Sequence, residues 1–200
     1  MPMELSADWL RERCLSLYPM QQVQELPQAG EFIAAAVLIP VVDRPAGLSV
    51  LLTLRTAHLR DHAGQISFPG GRCEPTDNSA VDTALRESRE EVGILSEQVS
   101  VLAILPEYWT STGFRVTPVV GLVTPPLNLQ LDDFEVAEVF EPPLAFFLDA
   151  TNYRHEARAY QGQLRNYWAV PWRNYFIWGA TAGMFVSLRQ SLLGPGHADT

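Results

Sequence analysis

The feature that most constrains this chain is an acidic helical segment that follows a pair of glycines, within residues 70–94. The glycines end a strand-like run, a short polar loop follows, and Gly93 marks the point where a helix is predicted to end. The helical part contains the order R-E-x-x-E-E from Arg86 to Glu91. The fold must therefore lead a strand through a tight loop into a helix whose polar face carries an excess of carboxylates.

The three glutamates of this segment, Glu87, Glu90 and Glu91, recur at helical spacing and are predicted to share one ridge that faces one point. Like charges at that spacing destabilise a helix by about 0.2–0.5 kcal/mol per pair, so the arrangement needs a neutralising partner. Salt bridges from Arg86 and Arg89 on a solvated surface are the plainer interpretation. A hard divalent cation, which prefers clustered oxygen ligands, is the alternative and predicts a metal site.

The setting favours the metal site, because the segment resembles the Nudix box, the hydrolase signature G-x5-E-x7-R-E-U-x-E-E-x-G-U, in which U is a bulky apolar residue. The positions that match by type are Gly71, Arg86, Glu87, Glu90, Glu91, Gly93 and Ile94. The resemblance implies a Mg²⁺ or Mn²⁺ cofactor held by Glu87, Glu90 and Glu91 together with the carbonyl of Gly71.

The order of predicted elements is consistent with this resemblance. Strands around one acidic helix, with a further helix near each end of the chain, fit a mixed sheet packed between helices. The resemblance implies the more specific α/β fold, the Nudix-type α/β/α sandwich with a mixed β-sheet.

The loop before the helix departs from the signature. Asp77 stands six residues after Gly71, where the signature has Glu, and eight residues instead of seven separate it from Arg86. Ser88 takes the first apolar position of the signature. We expect the inserted residue to be absorbed before the helix begins near Ser79. The shorter, shifted carboxylate of Asp77 indicates a weaker and indirect role than that of the ridge.

A second concentrated signal precedes the box. Arg55, His58, Arg60 and His62 fall within eight residues of a strongly acidic chain. Any one of them alone is typical of a basic surface loop that balances local acid. Together they predict a clamp for an anionic group.

The whole of residues 51–71 resembles the segment L-L-T-x-R-[SA]-x3-R-x3-G-x3-F-P-G-G, which marks coenzyme A diphosphatases among Nudix proteins. The positions in register are Leu51, Leu52, Thr53, Arg55, Arg60, Gly64, Phe68, Pro69, Gly70 and Gly71. Thr56 replaces the small Ser or Ala. The resemblance implies that the cationic cluster and Gly70 bind substrate, and we expect the cluster to contact the 3′-phosphate of coenzyme A.

The implied function is metal-dependent hydrolysis of the diphosphate bond of coenzyme A and its thioesters, giving 3′,5′-ADP and 4′-phosphopantetheine or its acyl form. Arg86 is expected to fix the carboxylates through a bidentate pair, and Glu91 or Glu135 to accept a proton from water. Glu135 begins residues 135–140, which resemble the post-box E-V-x-E-V-F segment of the family, and Glu138 is the next candidate. The plainer interpretation of Glu135 and Glu138 is that both side chains face solvent.

Other functions fit parts of the pattern. The same box serves ADP-ribose, a dinucleotide such as NADH, or an oxidised nucleoside triphosphate in other proteins, because fold and box do not set the substrate. A noncatalytic ligand sensor is a hypothesis from another class, and the complete set of carboxylates disfavours it. Residues 51–71 are what favour coenzyme A.

The loop after the box contains Glu107, Tyr108, Trp109, Thr112 and Phe114. Aromatic residues beside strands are more often part of the core. A wall that stacks adenine or faces pantetheine is the alternative interpretation.

Apolar and β-branched runs predict the strands of the sheet. Residues 31–42 and 49–55 are expected to form two central strands, and residues 99–106 and 115–123 two more. Residues 153–172 alternate polar with aromatic positions in the manner of a hairpin.

Composition bounds the remaining possibilities. With 200 residues, of which 47% are hydrophobic, the chain is expected to form one domain over residues 1–200, with helices at about 4–22 and 177–193. A net charge of −9 disfavours nucleic-acid and anionic-membrane partners. Cys14 and Cys73 form no paired motif, and we expect no signal peptide and no membrane span. These properties favour a cytoplasmic protein with a small-molecule substrate.

Overall fold

The computed structural model describes residues 5–18, 32–59, 62–160 and 163–194. The helices are α1 Ala7–Leu15, α2 Ala80–Val92, α3 Leu144–Leu148 and α4 Gly179–Leu193. The strands are β1 Ile33–Arg44, β2 Gly47–Val50, β3 Leu52–Arg55, β4 Ile66–Ser67, β5 Gly70–Arg72, β6 Val99–Ile104, β7 Tyr108–Trp109, β8 Phe114–Val123, β9 Val136–Phe140, β10 Arg154–Tyr160 and β11 Gln163–Ala169. Within these residues, no helix combines the length and the hydropathy that crossing a membrane requires.

The main sheet has the order β2-β1-β8-β6, with β5 paired to β1 and β7 paired to β8. The β1–β8 pair is parallel and the other pairs are antiparallel, which confirms the predicted mixed sheet.

Helices cover both faces of this sheet. Ala36 and Leu38 of β1 pack against Ala84 of α2, whereas Ile39 joins the cluster that contains Phe185 of α4. Because successive side chains of a strand point to opposite faces, a strand buried on both sides is apolar almost throughout, as β1 is. The predicted α/β/α sandwich is therefore confirmed.

One strand prediction is wrong, because residues 49–55 do not form a single strand. The strand is interrupted at Leu51, which is fully buried and whose N–H donates to the carbonyl of Pro40 at 3.0 Å. Before Leu51, β2 pairs with β1; after it, β3 joins a second sheet with the order β4-β3-β9. This change of partner places Arg55, the last residue of β3, beside the start of β9.

The terminal helices differ from their predicted bounds. α1 is Ala7–Leu15, capped by the Ser6 hydroxyl, and the predicted positions 4 and 19–22 lie outside the described residues. α4 begins at Gly179, two residues after the predicted start. The predicted hairpin is confirmed by the antiparallel pairing of β10 with β11.

Candidate active site

A cavity of about 560 Å³ opens between the main sheet, α2 and the start of α4. Glu87, Glu91 and Glu135 form an acidic end and interact electrostatically with one another. The lining elsewhere includes apolar side chains such as Phe114 and Met184. One concave space therefore combines a charged end with an apolar end, which is typical of a small-molecule site.

The helix that supplies two of these acids has well-defined ends. The Ser79 hydroxyl accepts a hydrogen bond from the N–H of Asp82 at 3.2 Å, and Gly93 ends the helix in the left-handed conformation at φ 77°. Both predicted ends are thereby confirmed. Ser88, at the position where the signature has an apolar residue, is fully buried, and its hydroxyl donates to the carbonyl of Ala84 at 2.6 Å. This local bond explains how a polar residue is accommodated there.

Arg86 connects the loop, the strand and the helix of the site. Its Nε and Nη2 donate to the two carboxylate oxygens of Asp77, each at 3.0 Å, and Nη2 also donates to the carbonyl of Arg72 at 3.1 Å. Its Nη1 donates to Glu87 at 2.8 Å and to Glu90 at 3.1 Å. The bidentate pair expected of Arg86 is therefore made with Asp77, while the glutamates receive single bonds.

Asp77 has more contacts than its displaced position in the sequence suggests. Besides Arg86, its carboxylate accepts from the Thr83 hydroxyl at 2.8 Å and from the N–H of Glu74 at 2.9 Å. Arg86 and these donors hold the pKa of the Asp77 carboxyl well below its usual range. A turn in which the N–H of Asp77 donates to the carbonyl of Glu74 absorbs the inserted residue.

Gly71 allows the strand to approach the carboxylate of Glu87. A Cβ atom at position 71 would lie 2.5 Å from Cδ of Glu87, so any side chain there would displace the acid. Burial raises the pKa of Glu87, and the hydrogen bond from Arg86 opposes that rise.

Glu91 is the most deeply buried acid of the cavity, with 4% of its surface exposed. One carboxylate oxygen accepts the N–H of Gly70 at 3.2 Å, and the other lies 3.6 Å from Nη1 of Arg55. Burial raises the pKa of Glu91 to about 8, although Arg55 and the Gly70 N–H favour the ionised form. Burial therefore favours the neutral form of this carboxyl.

The three ridge glutamates do not all face the same point. Glu87 and Glu91 line the cavity, whereas Glu90 is 60% exposed at the side-chain level and bonds to Arg86. The helical rotation of about 100° per residue places position 90 about 60° to one side of position 87 and about 100° from position 91. The backbone geometry therefore favours Glu87 and Glu91 as the inward pair.

Glu135 reaches the cavity from the turn before β9. Its carboxylate lies 3.5 Å from Nη2 of Arg55, so Arg55 lies between Glu135 and Glu91. The other post-box candidate, Glu138, accepts a hydrogen bond from the Tyr175 hydroxyl and is not among the described lining residues. The structure thus brings together Glu135 and the helix acids, and it places Glu138 elsewhere.

The predicted cationic cluster is divided. Arg55 and His62 line the cavity, and the His62 ring bonds to the side-chain oxygen of Gln65 at 2.9 Å. His58 is exposed, packs edge-on against Phe134, and is not among the described lining residues. Arg60 lies outside the described residues.

The cavity also contains Arg72, a residue that the sequence patterns do not single out, and it is lined by Trp178 and Met184 as well. Thr112 and Phe114 also line it, whereas Tyr108 is buried in the core cluster. The sequence signal that could have identified Arg72 is the alternation of side chains in an extended segment, which places residue 72 on the face opposite to Gly71.

The donor atoms of the acidic end fit a hard divalent cation, because carboxylate and carbonyl oxygens are the ligands that Mg²⁺ and Mn²⁺ prefer. Burial raises the pKa of both Glu87 and Glu91, and a bound cation would favour the ionised form that this burial disfavours. In the part of the chain that the structure describes, no three acidic, cysteine or histidine side chains are already gathered to hold an ion. An ion held by all three glutamates would require Glu90 to exchange its bond with Arg86.

Comparison with known proteins is consistent with this site. A model of the NUDIX domain family matches residues 32–161. A Cronobacter sakazakii protein with the name Uncharacterized Nudix hydrolase NudL is 43% identical over 177 residues, which cover 88% of this chain and 92% of that protein. The protein of the same name from Escherichia coli (strain K12) is 46% identical over 155 residues, covering 77% of this chain and 80% of that protein.

Among solved structures, the chain is similar to a C. elegans Ap4A hydrolase in a binary complex. The two share 20% sequence identity with a TM-score of 0.49, over 56% of this chain and 80% of that chain.

The contacts of Asp77 predict that Asp77→Asn lowers both the melting temperature and the activity, because the neutral amide loses the charged fork to Arg86. Asp82→Asn is the matched control, since it removes a charge near the same helix start without contacting Arg86. A carboxyl with a lowered folded-state pKa contributes stability above its unfolded pKa and loses it as pH falls. The stability difference between wild type and Asp77→Asn should therefore shrink below about pH 4. Equal melting curves for the two variants at pH 7 would contradict this role.

The raised pKa of Glu91 predicts a specific pH dependence of stability in EDTA. Because the folded-state pKa lies above the usual value, the contribution is fully present below about pH 4.5 and is lost as pH rises through about 8. Denaturant unfolding of wild type and Glu91→Gln should therefore show the variant gaining relative stability between these pH values. Glu97→Gln, at an exposed position, is the control and should follow wild type. Parallel pH profiles for wild type and Glu91→Gln would contradict the assignment.

Proposed function

The chain belongs to the NUDIX domain family and is a Nudix hydrolase, and we propose that the diphosphate bond it cuts is that of coenzyme A and its thioesters. The products would be 3′,5′-ADP and 4′-phosphopantetheine or its acyl form. Both thiols of the described chain, Cys14 and Cys73, are free, which supports placing this activity in the cytoplasm.

The observation that carries the proposal is that the segment resembling coenzyme A diphosphatases forms part of the cavity wall. Arg55, His62, Phe68 and Gly70 come from residues 51–71 and all line the cavity, and Arg55 and Gly70 contact Glu91 directly. The segment that carries the subfamily resemblance therefore lies beside the acidic end, where the substrate diphosphate would bind. A volume of about 560 Å³ is also in the range of pockets for nucleotide-sized ligands.

The cofactor in this proposal is Mg²⁺ or Mn²⁺, held by Glu87, Glu90, Glu91 and the carbonyl of Gly71. When bound, the ion supplies neutralisation of the diphosphate charge and a water of lowered pKa. Two groups of the chain position the acids: Arg86 bonds to the loop and to Glu87, and the Gly70 N–H donates to one oxygen of Glu91.

The proton of the attacking water needs an acceptor within this end of the cavity. Glu135 is half-exposed there and has no hydrogen bond to Arg86, and Glu91 is buried with a raised pKa. Arg55 lies close to both, so it can stabilise the ionised form of either acid. These two carboxylates are accordingly the candidate general bases.

A substrate panel tests the proposal. With Mg²⁺ or Mn²⁺, we expect purified protein to release 3′,5′-ADP from coenzyme A and acetyl-CoA with a higher kcat/KM than for ADP-ribose, NADH or 8-oxo-dGTP. Product identity is read by chromatography and mass spectrometry. Preferential hydrolysis of any of the last three would replace the coenzyme A assignment, and binding without turnover of every compound would favour a ligand sensor.

The metal assignment predicts that Glu90→Gln and Glu91→Gln fold normally and lose kcat by about 10² or more, because each removes the charge of a metal ligand and the metal would stabilise the transition state. Glu97→Gln should retain wild-type kcat. The measurement is steady-state kinetics at several Mg²⁺ concentrations, with circular dichroism as the folding control. Wild-type turnover in both ridge variants at saturating Mg²⁺ would remove the ridge from the mechanism.

A further inference from the structure

Arg72 is a cation of the cavity with a different environment from that of Arg55. The guanidinium of Arg55 lies within 3.6 Å of Glu91 and 3.5 Å of Glu135. In the described part of the chain, Arg72 has no carboxylate partner within 4.0 Å of its guanidinium nitrogens. Of these two lining arginines, Arg72 is therefore the one whose charge is available to an anionic ligand.

The pleat of β5 directs Arg72 away from the acids. At position 71 the Cα–Cβ direction points at Glu87, as the 2.5 Å approach of a Cβ to its carboxylate shows. Successive side chains of a strand point to opposite faces, so the side chain of Arg72 leaves β5 on the other face. Its neighbour in the ladder is Ala35, which lines the cavity, whereas the neighbour of Gly71 is Ala36, which packs under α2.

The guanidinium of Arg72 packs against an aromatic ring. Its carbon lies 5.5 Å from the centroid of the Phe114 ring, which is within the range of a cation–π contact. The peptide between Arg72 and Cys73 is hydrogen-bonded at both groups, since the carbonyl of Arg72 accepts from Arg86 and the N–H of Cys73 donates to the carbonyl of Ala34. The exposed side chain of Arg72 therefore leaves a well-held backbone segment and lies over the Phe114 ring.

The wall next to Arg72 and Phe114 is rich in hydroxyl groups. Thr110, Ser111 and Thr112 all line the cavity, and the hydroxyl oxygens of Thr110 and Thr112 lie 3.0 Å apart. A guanidinium, a flat aromatic ring and neutral hydroxyls are together suited to a phosphorylated nucleoside rather than to an aliphatic chain.

We propose that Arg72, resting on Phe114, is the residue that recognises a phosphate monoester on the nucleoside part of the substrate, separate from the diphosphate that is cut. This inference rests on the proposed function, under which that group is the 3′-phosphate of coenzyme A. It assigns the 3′-phosphate to Arg72 in place of Arg55, which bonds to the acids.

The kinetic experiment compares coenzyme A with dephospho-CoA, which lacks the 3′-phosphate. Arg72→Gln should lower kcat/KM for coenzyme A by about ten- to hundredfold, the contribution of one charge-assisted hydrogen bond to phosphate, and leave dephospho-CoA almost unchanged. Arg72→Lys keeps the charge without the planar fork of the guanidinium. Its kcat/KM for coenzyme A should therefore lie between those of wild type and Arg72→Gln. Arg115→Gln is the matched control, because Arg115 follows Phe114, pairs with Glu107 and is not among the described lining residues.

A binding measurement gives an independent readout. By calorimetry, wild type should bind 3′,5′-ADP more tightly than 5′-AMP, and Arg72→Gln should bind the two about equally. An unchanged ratio of coenzyme A to dephospho-CoA in Arg72→Gln would overturn the assignment. An equal fall for both substrates would also overturn it, since Arg72 would then act on the shared diphosphate. Wild type that cleaves another nucleotide but not coenzyme A would instead overturn the proposed function, and this inference with it.

Discussion

The site depends most on the bonds of the Arg86 guanidinium, because this one group joins three pieces of chain. It bonds the loop through Asp77, the strand through the carbonyl of Arg72 and the helix through Glu87. Charge-assisted bonds of this kind are about twice as strong as neutral ones, and the planar fork also fixes direction. The position of Glu87 under Gly71 therefore follows from Arg86 as much as from the helix.

Arg86 holds the loop but does not neutralise Glu91. Arg86 bonds to Asp77, Glu87 and Glu90, so the nearby cation of Glu91 is Arg55, which it shares with Glu135. A buried carboxyl in that position is costly when ionised, and its pKa rises accordingly. A divalent cation would favour the ionised form and remove this cost, so the same burial that weakens the metal-free protein would favour metal binding.

Sequence periodicity and motif resemblance were sufficient for the two ends of α2, for the mixed sheet and for the family. They were not sufficient for contacts set by packing. The 3.6-residue period groups Glu87, Glu90 and Glu91, but the bond from Arg86 and the approach of Gly71 determine the position of each carboxylate. The contact of Arg55 with Glu91 likewise depends on the change of sheet at Leu51, which the largely apolar run of residues 49–54 does not indicate.

The register of β5 explains why the inserted residue lies in the loop. Gly71 must face Glu87, since a Cβ there would meet the carboxylate, and the next residue then faces the cavity. A one-residue slip within a strand moves every side chain to the opposite face. An insertion inside β5 would therefore direct a side chain into Glu87 and turn the position of Arg72 towards the helix. In the loop after the strand, the turn from Glu74 to Asp77 absorbs the extra residue, and Asp77 still reaches Arg86 with both oxygens. The shortened carboxylate and the longer loop thus compensate each other, and the strand keeps Gly71 against Glu87 and directs Arg72 to the opposite face.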